Sequence, residues 1–419
     1  MPRCNNIPPS EKPVYYKGDE PSPRGKGLCA KFEDGKTRKG TDGKMYLSLD
    51  GKWVKKTTLR KSSVPIPIPA KGGGRGGGRG KLNIVQLTLK KTVTDFFKPW
   101  EKVDGKEMLK DMDHYYERTK TKNLLLKFKI VNNRISYVDD KHLEEKGTFI
   151  KTRAYAMRHM FTIFLSKIEK KLTLTFYLTL HDSLPTDEFP IFGFAKPRSE
   201  PGVLVPDWTF HNPYKSKIKT PWAKQLEIIS NKCNKTKYES KSNVLYFQGG
   251  DTSRTRFENH PKTDIRRNLK NSTLDDRKYR ILIDNEPSTS VVEWCKYKYL
   301  LDLPGAHPWS VRFKELLATK SLVIKVDVED VWINFYSDIF KPGVDYEQVI
   351  LKEKGDDDRK ERYSRDVKNQ INQIVKKIDK QKYLRMTNSA YTKIKMLDNS
   401  TLTFYFETLF SKYMDIFTA

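Results

Sequence analysis

Two stretches of this chain set out, in the same order, the residue types needed to hold a diphosphate. The first is Leu245-Tyr246-Phe247-Gln248-Gly249-Gly250-Asp251-Thr252-Ser253-Arg254-Thr255-Arg256. The second runs from Lys296-Tyr297-Lys298-Tyr299-Leu300-Leu301-Asp302-Leu303-Pro304-Gly305 on to Trp309-Ser310-Val311-Arg312-Phe313-Lys314. Each is an apolar run, a glycine turn and a hydroxyl-plus-arginine segment able to open a helix. Turn amides and a helix N-terminus face an anion in such an arrangement, and arginines complete the clamp. Arg256 and Arg312 are the best diphosphate ligands, because a guanidinium offers a planar donor fork and stays charged as negative charge builds. Thr252, Ser253 and Ser310 read either as phosphate contacts or simply as good helix N-caps. Gly249, Gly250 and Gly305 allow close backbone approach, though any tight turn also selects glycine. Lys314 lies two residues past Arg312, off its helix face, and reads as a ligand or as a surface residue. Two such stretches point to a nucleotide-sugar enzyme more than to a nucleic-acid binder.

Other candidates precede these stretches. Asp182 follows the apolar segment 172–180 and precedes Ser183-Leu184-Pro185. That places it at a strand end, as a general base or as a solvated turn aspartate. Asp207, between Pro206 and Trp208, suits a substrate-lining loop or a cap. His181 suits a substrate hydrogen bond or a structural one. Trp208 and Phe210 either stack on a sugar ring or fill the interior. Asp187 and Glu188 look solvated. Asp356-Asp357-Asp358 sits in a charged run and Asp275-Asp276 in a polar loop. With no Asp-x-Asp at a strand end, no metal is expected, and arginines take over what a divalent ion would do.

Positioning these groups requires mixed α/β architecture. Residues 127–138 read as a hairpin turning at Asn132-Asn133, and 151–170 have helical periodicity. Strands are expected at 172–180, 244–247, 298–303 and 321–326, with helices at 222–231 and 309–318. Charged helical residues from about 356 to 381 and an apolar segment at 402–414 close the chain. Short strands separated by helices suggest parallel sheets in Rossmann-like lobes.

The chain has 419 residues, 37% hydrophobic and 12% aromatic, enough for two or three domains despite a mean hydropathy of −0.71. Its net charge of +28 is uneven: residues 1–81 hold 19 Lys+Arg against 7 Asp+Glu, or +12. Such a leader is expected to seek an anionic partner without choosing among phosphates, nucleic acid, membranes and acidic glycans. Residues 1–60 read as a small basic β-rich module, with Asp50-Gly51 as a hairpin signal. Residues 61–81, with Pro65-Ile66-Pro67-Ile68-Pro69 and a Gly/Arg tract, read as a flexible linker that tethers or weakly binds nucleic acid. Cys4, Cys29, Cys233 and Cys295 form no metal or disulfide framework, which points to a reducing compartment. The N-terminus lacks a signal-peptide core and no apolar run spans a bilayer, so a cytoplasmic location is expected.

Five ordered segments carry a resemblance. They are Thr179-Leu180-His181-Asp182, Val205-Pro206-Asp207-Trp208-Thr209-Phe210, Phe247-Gln248-Gly249-Gly250-Asp251-Thr252-Ser253 with Arg256, Lys296 through Gly305 with Ser310, Arg312, Lys314 and Leu317, and Phe340-Lys341-Pro342 with Tyr346 and Val349. Residues 82–419 thereby resemble glycosyltransferase family 90, the capsule-associated and protein O-glucosyl- or O-xylosyltransferases. Gln248 stands where the family usually has Arg, Asp251 replaces another basic or polar position, and Pro304 precedes Gly305 where an acidic residue or Arg is usual.

The resemblance implies a GT-B fold: two Rossmann-like lobes facing across a cleft, here with the β-rich module on its linker. It divides the body into an acceptor-side lobe (82–235), a UDP-sugar donor lobe (236–385) and a C-terminal helical segment (386–419) packing back on the first lobe. It implies inverting transfer of xylose or glucose from UDP-xylose or UDP-glucose, with no permanently bound cofactor, and makes Asp182 the base. The acceptor it implies is a glycan or glycoprotein. The leader, from Tyr15 to Val54, resembles a short domain attached to proteins of large DNA viruses such as chloroviruses, which would make host cytoplasm the setting and a capsid protein an acceptor. The alternative is a basic nucleic-acid-binding or virion structural protein that retains a degenerate transferase fold.

Overall fold

The computed structural model describes residues 21–22, 26, 28, 37–49, 52–55, 82–211, 220–250, 265–273, 276–283, 289–305, 310–351 and 360–418. The chain divides into two units, Met1–Gly80 and Lys81–Ala419. The first contains an antiparallel sheet of β1 (Thr37–Lys39), β2 (Met45–Leu49) and β3 (Lys52–Lys55). Its aromatics are tied to backbone and turn: Tyr46 Oη donates to Asp42 Oδ2 (3.0 Å) and Trp53 Nε1 to the Leu28 carbonyl (2.7 Å). Asp50-Gly51 lies outside the described residues. Strands β2 and β3 pair antiparallel with Leu49 opposite Lys52.

The second unit opens with α1 (Ile84–Phe97), started by an Asn83–Gln86 capping box, and α2 (Gly105–Thr119), capped by Asp104. Strands β4 (Leu125–Val131) and β5 (Arg134–Asp139) follow, joined by Asn132 and Asn133 at φ 50° and 62°. Asparagine tolerates this left-handed conformation better than most residues, which is why the turn was legible. After α3 (Thr148–Leu165) come β6 (Leu174–Thr179), β7 (Phe192–Gly193), β8 (Lys196–Pro197) and β9 (Val203–Leu204). The sheet order is β5-β4-β6-β7-β9. Strands β6, β7 and β9 run parallel, while β4 is antiparallel to both β5 and β6, so the sheet is mixed and the hairpin expected at 127–138 is present. A two-residue Asn-Asn turn has no length for a crossover and forces β4 and β5 antiparallel.

The second five-stranded sheet meets the parallel expectation. Helix α4 (Trp222–Cys233) leads to β10 (Ser242–Gly249), α5 (Ile265–Ser272), β11 (Tyr279–Ile283), α6 (Val291–Trp294) and β12 (Tyr297–Asp302). Then follow α7 (Phe313–Ala318), β13 (Leu322–Val328), β14 (Trp332–Ile333) and β15 (Glu347–Leu351). The all-parallel order is β11-β10-β12-β13-β15. Every residue of β13 is buried, as expected for a strand covered on both faces. Strand β14 pairs with β8, and Arg198 bonds Asp338 (2.9 Å), so the segment after β13 is fastened to the segment after β7.

Three helices complete the chain: α8 (Lys360–Lys377), α9 (Lys380–Lys395) and α10 (Asn399–Thr418). The break between α8 and α9 coincides with Asp379, whose carboxylate accepts from Lys382 N (2.6 Å) and restarts the helix. Helix α10 lies on α1, α2 and α3. Its Phe406 and Phe410 reach Phe161 and Phe176, so the last helix closes the core over the first sheet. No helix among the described residues is long and apolar enough to cross a membrane.

Phe176 is the hub of that core, with ring centroids of Phe128, Phe161, Phe192 and Phe410 at 4.9 to 5.3 Å. Phe176→Ala is expected to cost about 3–5 kcal/mol of stability, seen as a lowered denaturant midpoint at unchanged slope.

Candidate active site

In the all-parallel sheet the chain steps from β10 outward to β11, then crosses back to β12 on the other side of β10. The strand order therefore reverses between β10 and β12. Ligands of open parallel sheets bind outside the carboxyl ends of the strands at such a reversal. The two stretches singled out in the sequence leave from these two strand ends, at Gln248-Gly249-Gly250 and Asp302-Leu303-Pro304-Gly305.

Arg312 spans the gap between them. Its Nη1 donates to the Gln248 carbonyl, its Nη2 lies 3.9 Å from Asp302 Oδ1, and its guanidinium stands 4.9 Å from the Phe247 ring centroid. Ser310 Oγ accepts from both the backbone N (3.2 Å) and Nε (3.3 Å) of Arg312. The helix expected from residue 309 begins only at Phe313, so Ser310 orders the arginine and does not cap α7. Gly249 has a specific steric reason: a Cβ there would lie 2.5 Å from Arg312 Nη1 and 2.8 Å from Phe247 Cζ. Burial disfavours the charges of both Asp302 and Arg312, raising the acid and lowering the base, and each partner offsets the effect on the other.

Arg266, on α5, was missed by the sequence reading. It donates from Nη1 to the Gly250 carbonyl (2.6 Å) and from Nη2 to the Leu303 carbonyl (3.1 Å). It too lies against Phe247, at 5.2 Å. Two arginines thus stitch the end of β10 to the end of β12. Gly305 follows β12 and is half-buried. Asp251, Thr252, Ser253 and Arg256 lie outside the described residues.

The first sheet contributes Asp182, just past β6. Its side chain is 28% exposed and ion-pairs at 2.8 Å with Arg153 Nη2 of α3, itself only 6% exposed. Arg153 was also unforeseen, since a cation inside a helical pattern looks like any solvated charge. His181 Nε2 lies 3.1 Å from the Lys122 carbonyl, a contact that requires the proton on Nε2.

Asp207, Trp208 and Phe210 occupy the interior. Asp207 accepts from Thr209 N (2.8 Å) and from Thr209 Oγ1, starting the short 3₁₀ turn Trp208–Phe210. Trp208 stacks on the Arg153 guanidinium and Phe210 packs on Trp222, Phe335 and Tyr336. The surface reading of Lys314 is corrected: its side chain is 0% exposed. Lys314 Nζ lies 3.8 Å from Asp207 Oδ2, donates to Thr209 Oγ1 and to the Val311 carbonyl (2.8 Å), and stands over the Phe210 ring at 4.7 Å. A long side chain on the first turn of a helix carries apolar length inward as easily as outward.

Lys314→Met should strand the Asp207 carboxylate inside the protein. Breaking one side of such a pair costs about 3–5 kcal/mol, and the double variant with Asp207→Asn is expected to recover part of it. Denaturant titrations of the two single variants and the double variant measure the coupling; strict additivity would show that the pair does not interact.

Residues 92–419 match a family described as Glycosyl transferase family 90. A solved glycosyltransferase from Rickettsia africae ESF-5 is similar over 66% of this chain and 82% of that chain, at 10% identity and a TM-score of 0.28. None of the curated proteins matches. With more than three quarters of its length matched, the chain belongs to glycosyl transferase family 90.

Proposed function

We propose that the protein is an inverting, UDP-sugar-dependent glycosyltransferase of GT-B architecture that transfers xylose or glucose to a hydroxyl of a glycan or protein. The observation that carries this reading is the meeting of Gly249 and Arg312 at the reversal point of the all-parallel sheet. Glycine there admits backbone approach to a diphosphate, and the guanidinium fork supplies charge without a metal. Arg256, Thr252, Ser253 and Gly250 belong to the same loop in this reading.

Asp182 takes the acceptor hydroxyl proton. The acceptor oxygen attacks the anomeric carbon as the bond to the β-phosphate oxygen breaks, and that electron pair leaves with UDP. Arg312 and Arg256 stabilise the charge that builds on the leaving diphosphate. A positioned base contributes roughly 10²–10⁴ in rate, and one pre-aimed charge stabiliser roughly 10²–10³. Gln248 is a neutral side chain where the family usually has Arg, which makes donor preference the property most open to difference in this chain.

The test is UDP release on a panel of UDP-sugars without added metal, beside calorimetry with UDP. Asp182→Asn is expected to lower turnover about 10²–10⁴-fold with UDP affinity retained. Retained turnover would remove Asp182 from the mechanism, and absence of UDP binding to the unaltered protein would overturn the whole reading. Gly249→Ala should act on the other half of the reaction. By displacing Arg312 it should lower UDP affinity by about tenfold or more, as loss of a charge-assisted contact does. Unchanged affinity would show that Arg312 does not meet the diphosphate.

A further inference from the structure

Arg153 is more than a counter-ion. It reaches from α3 to two points two residues apart on one loop, donating from Nη1 to the Leu180 carbonyl (2.6 Å) and pairing through Nη2 with Asp182 Oδ1 (2.8 Å). A planar fork that holds both a backbone carbonyl and a carboxylate fixes the carboxylate relative to the end of β6, which a flexible ammonium cannot do.

The guanidinium is itself held from the side. Its centre lies 4.1 Å from the Phe149 ring centroid and 3.7 Å from that of Trp208. The two rings are 6.1 Å apart at 85°, so Arg153 sits in a corner between perpendicular aromatic faces. Phe149 precedes Arg153 by four residues on α3 and shares its helix face. Trp208 arrives on the 3₁₀ turn that Asp207 starts. Burial alone would lower the Arg153 pKa, and Asp182 and then Asp207 act against that. Burying a cation is expensive unless it is paired and hydrogen-bonded, and here Asp182 and the Leu180 carbonyl provide both.

We propose that Arg153 is a positioning residue for transfer, aiming the Asp182 carboxylate at the acceptor oxygen from an aromatic corner formed by Phe149 and Trp208. The proposal rests on the reading of Asp182 as the base. In this role Arg153 acts on the rate through Asp182. A misplacement of about 1 Å at a reacting group costs on the order of 10²-fold, which is the loss expected on removing the fork.

The probe is UDP release from UDP-xylose and UDP-glucose, with water as acceptor, in Arg153→Ala, Arg153→Lys and Asp182→Asn. Arg153→Ala should lose about 10²-fold in kcat while UDP affinity by calorimetry stays at the unaltered value. Guanidinium ion at millimolar concentration should restore part of the lost rate by entering the vacated corner, and uncharged urea of the same shape should not. The same salt should do nothing for a double variant that also carries Asp182→Asn. A purely structural arginine would show loss of UDP binding together with rate, and no guanidinium rescue; that pattern overturns the proposal, as does a full rate in folded Arg153→Ala. If Arg153→Ala fails to fold, Arg153→Lys decides. A reduced kcat with UDP affinity intact supports positioning, because lysine keeps charge and loses the fork, and an unreduced kcat overturns it. Full turnover in Asp182→Asn would instead mark failure of the base assignment, and the proposal would fall with it.

Discussion

Lys314 and Asp207 form the contact on which the rest of the site depends, because each belongs to a different half of it. Lys314 is anchored in α7, two residues past the arginine that spans β10 and β12. Asp207 starts the turn that presents Trp208 to Arg153, and Arg153 pairs with Asp182. From the end of the parallel sheet to the candidate base, each step is therefore a named contact: Gln248 to Arg312, α7 to Lys314, Lys314 to Asp207 and Thr209, Trp208 to Arg153, Arg153 to Asp182. A buried pair of this kind adds little net stability over well-packed apolar residues, but it tolerates few geometries. Its value is registration. Ordinary apolar packing allows small slips, whereas an ammonium among a carboxylate, a hydroxyl and a carbonyl has one favourable place.

The parallel sheet supplies the second constraint. At its reversal point the pairing of β10 with β12 stops at Tyr246 and Leu300, before either strand ends, and the carbonyls beyond need other partners on that side. Arg312 takes the Gln248 carbonyl, and Arg266 takes those of Gly250 and Leu303. Lysine cannot replace either, since one ammonium cannot hold two acceptors in a fixed plane while lying against the Phe247 ring. The same geometry explains why Gly249 is glycine: the space a side chain would need is taken by Arg312.

Much of this was legible in the sequence, for identifiable reasons. The strands and turns that frame the site carry local signals, as with the Asn132-Asn133 turn and the apolar run Leu322-Val323-Ile324 that opens β13. Gly249 and Asp182 were singled out because one ends β10 and the other lies three residues past β6, where chain order and spatial order coincide, and Arg312 because it belongs to the segment that follows β12. Arg153 and Arg266 were not found, because they lie on helices and reach the site across the fold. In sequence their surroundings look like those of any solvated arginine. The surface alternative for Lys314 fails for a related cause. Helical spacing separates it from Arg312 but does not say which face of α7 is inside. The antiparallel pair in the first sheet was readable from its two-residue turn, whereas the antiparallel pairing of β4 with β6 joins strands far apart in sequence and has no local signal.

Gln248 shows how the local network limits what this site can be. Its Oε1 accepts from the Thr289 backbone N (3.0 Å), from Thr289 Oγ1 (3.0 Å) and from Tyr246 Oη (2.8 Å). Because a backbone N–H can only donate, the amide orientation follows from the bonds themselves. Trp294 Nε1 in turn donates to Thr289 Oγ1 (2.9 Å), so the acceptor end of Gln248 is held by a connected set of side chains. An arginine at this position would bring donors where the network already presents the Thr289 N–H, and one of the two would go unsatisfied. The neutral amide is thus matched to its surroundings, and a change of charge there would require Thr289 and Tyr246 to change with it. The positive charge at the described ends of β10 and β12 accordingly falls to Arg312, just ahead of α7, and to Arg266 on α5.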